Sequence, residues 1–285
     1  MKPAGHPLDW HLHVIWYLVL VGVLVAYIRA VRRPEFAVTR RQRAAFVSGL
    51  VLVLAAVTWP LADIAAHWSL IILVIQRLLL MLAVPPLLVA GLPEGLIIGL
   101  TKPRIVDGFL RIAEMPVPAV AFVTVVAVGT LTTGAVNLAS RSAPAQAGFE
   151  LLVLIAGIVL WAPVLSRLPG APHLSSLGRG GYLIVQSIVP SFLSFVWIFA
   201  KHSLYAPFAH RGRLVGISPL LDQQLAGFLA KVGTIAVLWT VAFVIMNRGQ
   251  IFSGADDDRE LTWRDVQREI ERADRRDRHH PPPPA

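Results

Sequence analysis

The chain has 285 residues, of which 55% are hydrophobic and only 15% charged, with no cysteine and a formal net charge of +9. Soluble domains carry about 25% charge, so this composition excludes an ordinary water-soluble globule. The missing thiols exclude disulfides, thiolate metal centres, c-type haem attachment and CxxC redox pairs. The positive charge does not indicate nucleic-acid binding, because the arginines lie between apolar segments and on one side of them.

Seven apolar segments follow one another at 14–28, 45–61, 69–91, 117–135, 147–165, 181–200 and 225–246. Each approaches the roughly 20 residues that a helix needs to cross about 30 Å of hydrocarbon. The expected fold is all-α and polytopic: a seven-helix transmembrane domain over 1–246, then a cytoplasmic amphipathic helix and disordered tail over 247–285. The first connection carries Arg29, Arg32, Arg33, Arg40, Arg41 and Arg43, the third Lys102, Arg104 and Arg111, and the fifth Arg167 and Arg179. The opposite side has only Lys2, Arg141, Lys201, Arg211 and Arg213. The positive-inside rule then places the N-terminus outside and the tail in the cytoplasm. The first span has no basic segment before it and reads as a retained anchor.

Trp10, Trp16, Trp59 and Trp68 fall near expected outer boundaries, as an interfacial aromatic belt would. The connection LPEGLIIGLTKPRIVDGFLRIAEMPVP is apolar and basic together and is expected along the inner interface. In the tail, acids precede arginines, and Trp263, Val266, Ile270 and Ala273 form a stripe at helical spacing.

Polar residues within the spans carry the functional signal, because charge in hydrocarbon is costly. Gln76 and Arg77 lie in IQRLLLMLAVPPLLVAGLP, with Arg77 about eight residues and so roughly 12 Å into its span. Glu150 sits at similar depth in the fifth span and is the expected counter-charge, in an ion pair that would survive exchange of its two partners. Lys231 lies about two turns into the seventh span, roughly seven residues at 3.6 per turn. Pro85 and Pro86 remove two backbone donors and are expected to kink the third span. Asp63, His67, Asn137, His202, Asp222, Gln223 and Gln224 fall at the outer ends. His11, His13, His67 and His202 are the candidate copper or zinc ligands, with His6 and His210 also outside and His279 and His280 in the tail. No GxSxG, phosphate-cradling loop or HExxH occurs, so a non-catalytic role is expected.

Four stretches in order carry a resemblance. They are QRLLLMLAVPPLLVAGLP (76–93), GIVLWAPVL (157–165), FAKHSLYAPFA (199–209) and ISPLLDQQLAG (217–227). Together they resemble the CtaG-type cytochrome c oxidase assembly factors, seven-span bacterial membrane proteins, over roughly residues 60 to 246. The resemblance implies a membrane assembly factor for a haem–copper oxidase, with copper as cargo and oxidase subunits or a copper chaperone as partners. It also exposes departures. Leu73, Arg77, Asn137 and Glu150 stand where that family is expected to carry histidines. An Arg77–Glu150 ion pair would then replace a metal centre between the third and fifth spans. Two other functions fit the residues: a copper or small-solute transport component, favoured by the intramembrane charge and the proline pair, and a structural or regulatory subunit that has lost metal chemistry and acts through its tail.

Overall fold

The computed structural model describes residues 11–33, 36, 38–101, 103, 108, 111–165, 174–188, 191–209 and 216–257. Helices make up the regular structure of these residues, and no strand occurs among them. In chain order they are α1 (Val14–Val31), α2 (Arg40–Val57), α3 (Leu61–His67), α4 (Leu70–Leu78), a π-helical turn (Leu79–Ala83), α5 (Val84–Gly91), α6 (Glu94–Thr101), α7 (Pro116–Gly129), α8 (Thr133–Arg141), α9 (Ala143–Leu165), α10 (Ser176–Ile188), α11 (Ser191–Ile198), α12 (Ala206–Ala209) and α13 (Pro219–Asp257).

Five segments are long and apolar enough to cross a membrane unaided: 14–31, 70–91, 143–165, 176–198 and 219–248. Two bent pairs, α2 with α3 at 41° and α7 with α8 at 62°, bring the number to seven if each pair is one span. The bends explain why continuous spans were expected there, since hydropathy does not register a change of axis. Local chemistry sets the breaks. The Thr39 hydroxyl accepts from the Gln42 backbone N–H while the Gln42 side chain accepts from the Thr39 N–H, a capping box that starts α2. Ser69 and Thr132 cap α4 and α8 in the same sense, each accepting from the N–H three residues on.

The starts of α1, α4, α9 and α13 and the whole of α3 and α8 gather at one end of the bundle, here the His13 end. The starts of α2, α7 and α10, with α6, form the other, the Arg40 end, where Arg29, Arg32, Arg33 and Arg43 also lie. One core, with Val53, Leu80, Leu160, Trp161, Leu183 and Leu238, occupies the middle of the bundle, and a second, with Leu70, Val136, Trp197, Tyr205 and Phe208, lies toward the His13 end. On α1, Leu18, Val21, Leu24 and Ile28 are exposed, as a lipid-facing helix requires.

Two expectations change. Trp16 is not an interfacial residue: it is buried, and its indole N–H is used inside the bundle. The third span runs from Leu70 to Gly91, with a π-helical turn, Leu79–Ala83, just ahead of the proline pair. Finally, α13 continues across residue 247 as far as Asp257. The tail stripe of Trp263, Val266, Ile270 and Ala273, most of the 102–110 connection, and His6, His210, His279 and His280 lie outside the described residues.

Candidate functional site: a buried polar hub and the motifs around it

Glu150 projects from α9 into the bundle and is 1% exposed. Its carboxylate accepts from Trp16 Nε1 of α1 at 2.6 Å, from Gln76 Nε2 of α4 at 2.8 Å, and from Gln146 Nε2, one turn earlier on α9, at 3.1 Å. The two glutamines also reach backbone. Gln76 Nε2 donates to the Ala56 carbonyl at 2.8 Å and Gln146 Nε2 to the Ala62 carbonyl at 3.3 Å. One carboxylate therefore gathers α1, α2, α3, α4 and α9. Charge-assisted hydrogen bonds of this kind are the strong ones, and a buried carboxylate requires several of them.

Arg77 is also buried, at 7% exposure, yet no direct ion pair with Glu150 is formed among the described residues. Its Nε and Nη1 have no hydrogen-bond partner among the described residues. Arg77 and Glu150 instead share the wall of a cavity of about 10 Å³, with Gln76, Gln146, Leu73 and Val136. The expected pairing is thus corrected. Helix period places Gln76, not its neighbour Arg77, on the face toward α9, and three neutral donors already occupy the carboxylate. The side chain of Asn137 is not among the groups lining that cavity, so it does not join the hub.

The prolines belong to a second, apolar contact. Pro85 and Pro86 supply no N–H to the turn before them, and the Met81 carbonyl in that turn accepts from Trp161 Nε1 at 3.2 Å. The approach requires Gly157, where an added Cβ would lie 2.6 Å from Pro85 Cγ and 2.7 Å from the Met81 carbonyl oxygen. GIVLW and AVPP are therefore two halves of one helix–helix contact.

The stretch ISPLLDQQLAG ties down the His13 end. Asp222 accepts from the Ser69 hydroxyl and the Leu70 N–H, both at 2.6 Å, and so caps α4 from another helix. Gln223 Oε1 accepts from the Leu204 N–H at 2.8 Å, and Gln224 Nε2 donates to the Ala200 carbonyl at 3.2 Å. Gly227 lets α13 approach α11, since a Cβ there would meet the Ser194 carbonyl oxygen at 2.8 Å. Tyr205 of SLYAPFA accepts from Trp197 Nε1 at 3.0 Å and donates to the Leu131 carbonyl. Burial pushes its hydroxyl up to about 12, so it stays protonated and able to donate.

Two of the four candidate histidines meet at one carboxylate, and the other two stand apart from it. His11 Nδ1 lies 3.4 Å and His13 Nε2 3.3 Å from the two oxygens of buried Asp63. His67 faces the carbonyls of Asp63 and Ser140 with its two ring nitrogens, and His202 is exposed beyond α11. No group of three or more His, Cys, Asp or Glu among the described residues is arranged to hold a metal ion. The described residues therefore present no three-ligand centre for copper. Lys231, the remaining intramembrane charge, lies 3.9 Å over the Phe195 ring.

Residues 21–249 match the family described as cytochrome c oxidase caa3 assembly factor (Caa3_CtaG). The chain belongs to that family. No curated protein and no solved structure matches it. Within the Caa3_CtaG match lie every hub residue except Trp16, and both motif contacts in full. The family's match thus covers the helical bundle and stops near the end of α13's apolar portion.

Sequence reasoning singled out Gln76, Arg77, Glu150, Asp222 and the two glutamines that follow it, but not Gln146, and it set Trp16 at the membrane boundary. A signal existed for Gln146, which stands four residues before Glu150 on one helix face. Trp16 had none, since an aromatic residue near a helix end reads as interfacial.

Proposed function

We propose that this protein acts in a bacterial cytoplasmic membrane as a non-catalytic assembly factor for a caa3-type cytochrome c oxidase, with its N-terminus outside. The observation that carries the reading is the family match over 21–249, which takes in the helical bundle and its motif contacts. Assembly by contact with oxidase subunits is favoured over copper carriage. The hub is built from neutral donors around one carboxylate, and His67 is engaged by backbone carbonyls on both sides.

The test is a deletion strain. Haem a absorbance and oxidase activity of its membranes should fall and should return with the wild-type gene. The His11→Ala, His13→Ala double variant should restore them as well as wild type does. Failure of that variant, at normal abundance, would transfer the role to copper handling at the His13 end. Unchanged oxidase in the deletion strain would refute an assembly role altogether.

A further inference from the structure

Arg77 borders a second and larger cavity. It has a volume of about 90 Å³, is partly open, and lies among α4, the π-helical turn, α7, α9, α10, α11 and α13. Its wall is mostly apolar, with Leu82, Val123, Leu131, Leu160 and Trp197 among the contributors. Three polar side chains interrupt that wall without partners among the described residues: Arg77 through Nε and Nη1, Gln186 through both amide atoms, and Thr130 through its hydroxyl. Gln186 is 1% and Thr130 3% exposed.

Such groups are expensive to bury unsatisfied, and here they converge from α4, α10 and the end of α7 on one space. Their inventory is unbalanced. The guanidinium only donates, the amide offers a further N–H pair, and the acceptors are one amide oxygen and one hydroxyl. An acceptor-rich, anionic group satisfies this set. Glu150 does not supply it, being held by Trp16, Gln76 and Gln146.

We propose that this cavity binds the carboxylate head of a single-chain membrane amphiphile, with Arg77 and Gln186 donating to the carboxylate and the first methylenes against Val123, Leu160 and Trp197. Size selects the head. At about 90 Å³ the partly open cavity is smaller than the roughly 150 Å³ one that takes benzene in a well-studied case, so it takes a small head group and not a whole lipid. The cavity is partly open, and the rest of the chain leaves through that opening. The inference does not depend on the assembly reading, and its test uses no oxidase.

The experiment is equilibrium binding of radiolabelled dodecanoate to the purified full chain in a non-ionic detergent. Saturable binding near one per chain is expected, with methyl dodecanoate failing to compete. Arg77→Gln and Gln186→Leu should each weaken binding at least tenfold. The ester comparison needs no variant, so it stands even if either substitution fails to fold. Equal competition by the ester, no saturable binding, or wild-type affinity in both variants would overturn the proposal. Dioleoyl phosphatidylglycerol competing as well as dodecanoate would overturn the single-chain carboxylate in favour of a lipid phosphate.

Discussion

Glu150 and Arg77 carry opposite charge in one part of the bundle, yet they do different work. Glu150 joins helices through three hydrogen bonds, whereas Arg77 faces two cavities without a direct partner. Removing the carboxylate leaves Trp16, Gln76 and Gln146 with unmet donors and Arg77 without nearby counter-charge. Glu150→Ala should therefore cost about 3–5 kcal/mol, the range for breaking a buried charged contact. Glu150→Gln should cost less, about 1–3 kcal/mol, because one amide oxygen still accepts. Thermal unfolding of the detergent-solubilised protein measures both, and equal melting of Glu150→Ala and wild type would contradict the hub. Exchanging the two residues should now be disruptive, since an arginine at 150 would present donors to donors. A double-mutant cycle of Arg77→Gln with Glu150→Gln should show coupling of about 0.5–3 kcal/mol, transmitted through space across the shared cavity.

Among the elements, two junctions depend on backbone groups that a side chain from another helix satisfies. Trp161 holds the Met81 carbonyl beside the proline pair, and Asp222 caps the first turn of α4. Gly157→Ala would place a methyl 2.6 Å from Pro85 Cγ and 2.7 Å from a carbonyl oxygen, so α9 must move away from α5. A loss of about 1–3 kcal/mol is expected, as for other overpacked contacts. Trp161→Phe keeps most of the volume but abandons the Met81 carbonyl, and its destabilisation should not add to that of Gly157→Ala. For Asp222→Ala the readout is local. Amide exchange at Leu70, Ile71 and Ile72 should quicken while the far end of α4 is unchanged, with a loss of about 0.5–2 kcal/mol typical of a helix cap. Uniform protection along α4 in that variant would show that Ser69 alone suffices.

For the whole molecule the open quantity is orientation. Arginines crowd the Arg40 end, at Arg32, Arg33, Arg40, Arg41 and Arg43, and are sparse at the His13 end. The positive-inside rule predicts that the Arg40 end faces the cytoplasm. Because the chain has no cysteine, single substitutions are clean reporters. Arg141→Cys, exposed at the end of α8, should react with a membrane-impermeant maleimide in intact cells, while the exposed Arg33→Cys should react only after permeabilisation. The reverse pattern would invert the topology and place the Asp222 and Glu150 clusters toward the cytoplasm.

Helical class, membrane residence and family were all determined by the sequence, because each depends on composition, on apolar length against bilayer thickness, or on short motifs in order. Arg77 and Glu150 could be singled out for the same reason: charge in an apolar run is visible without coordinates. What those charges contact was not, since helix rotation and crossing decide it, and neither leaves a mark in one chain's hydropathy. Thus depth alone suggested an Arg77–Glu150 pair, while a rotation of one residue put Gln76 against the carboxylate and turned Arg77 toward open space. Trp16 moved from an expected membrane boundary into the hub for a related reason, namely that α1 supplies a donor only once α9 packs beside it. The donor from Trp161 to Met81 and the cavity that gathers Arg77, Gln186 and Thr130 are likewise products of tertiary packing. Each joins groups dozens of residues apart, through contacts that exist only when the bundle closes.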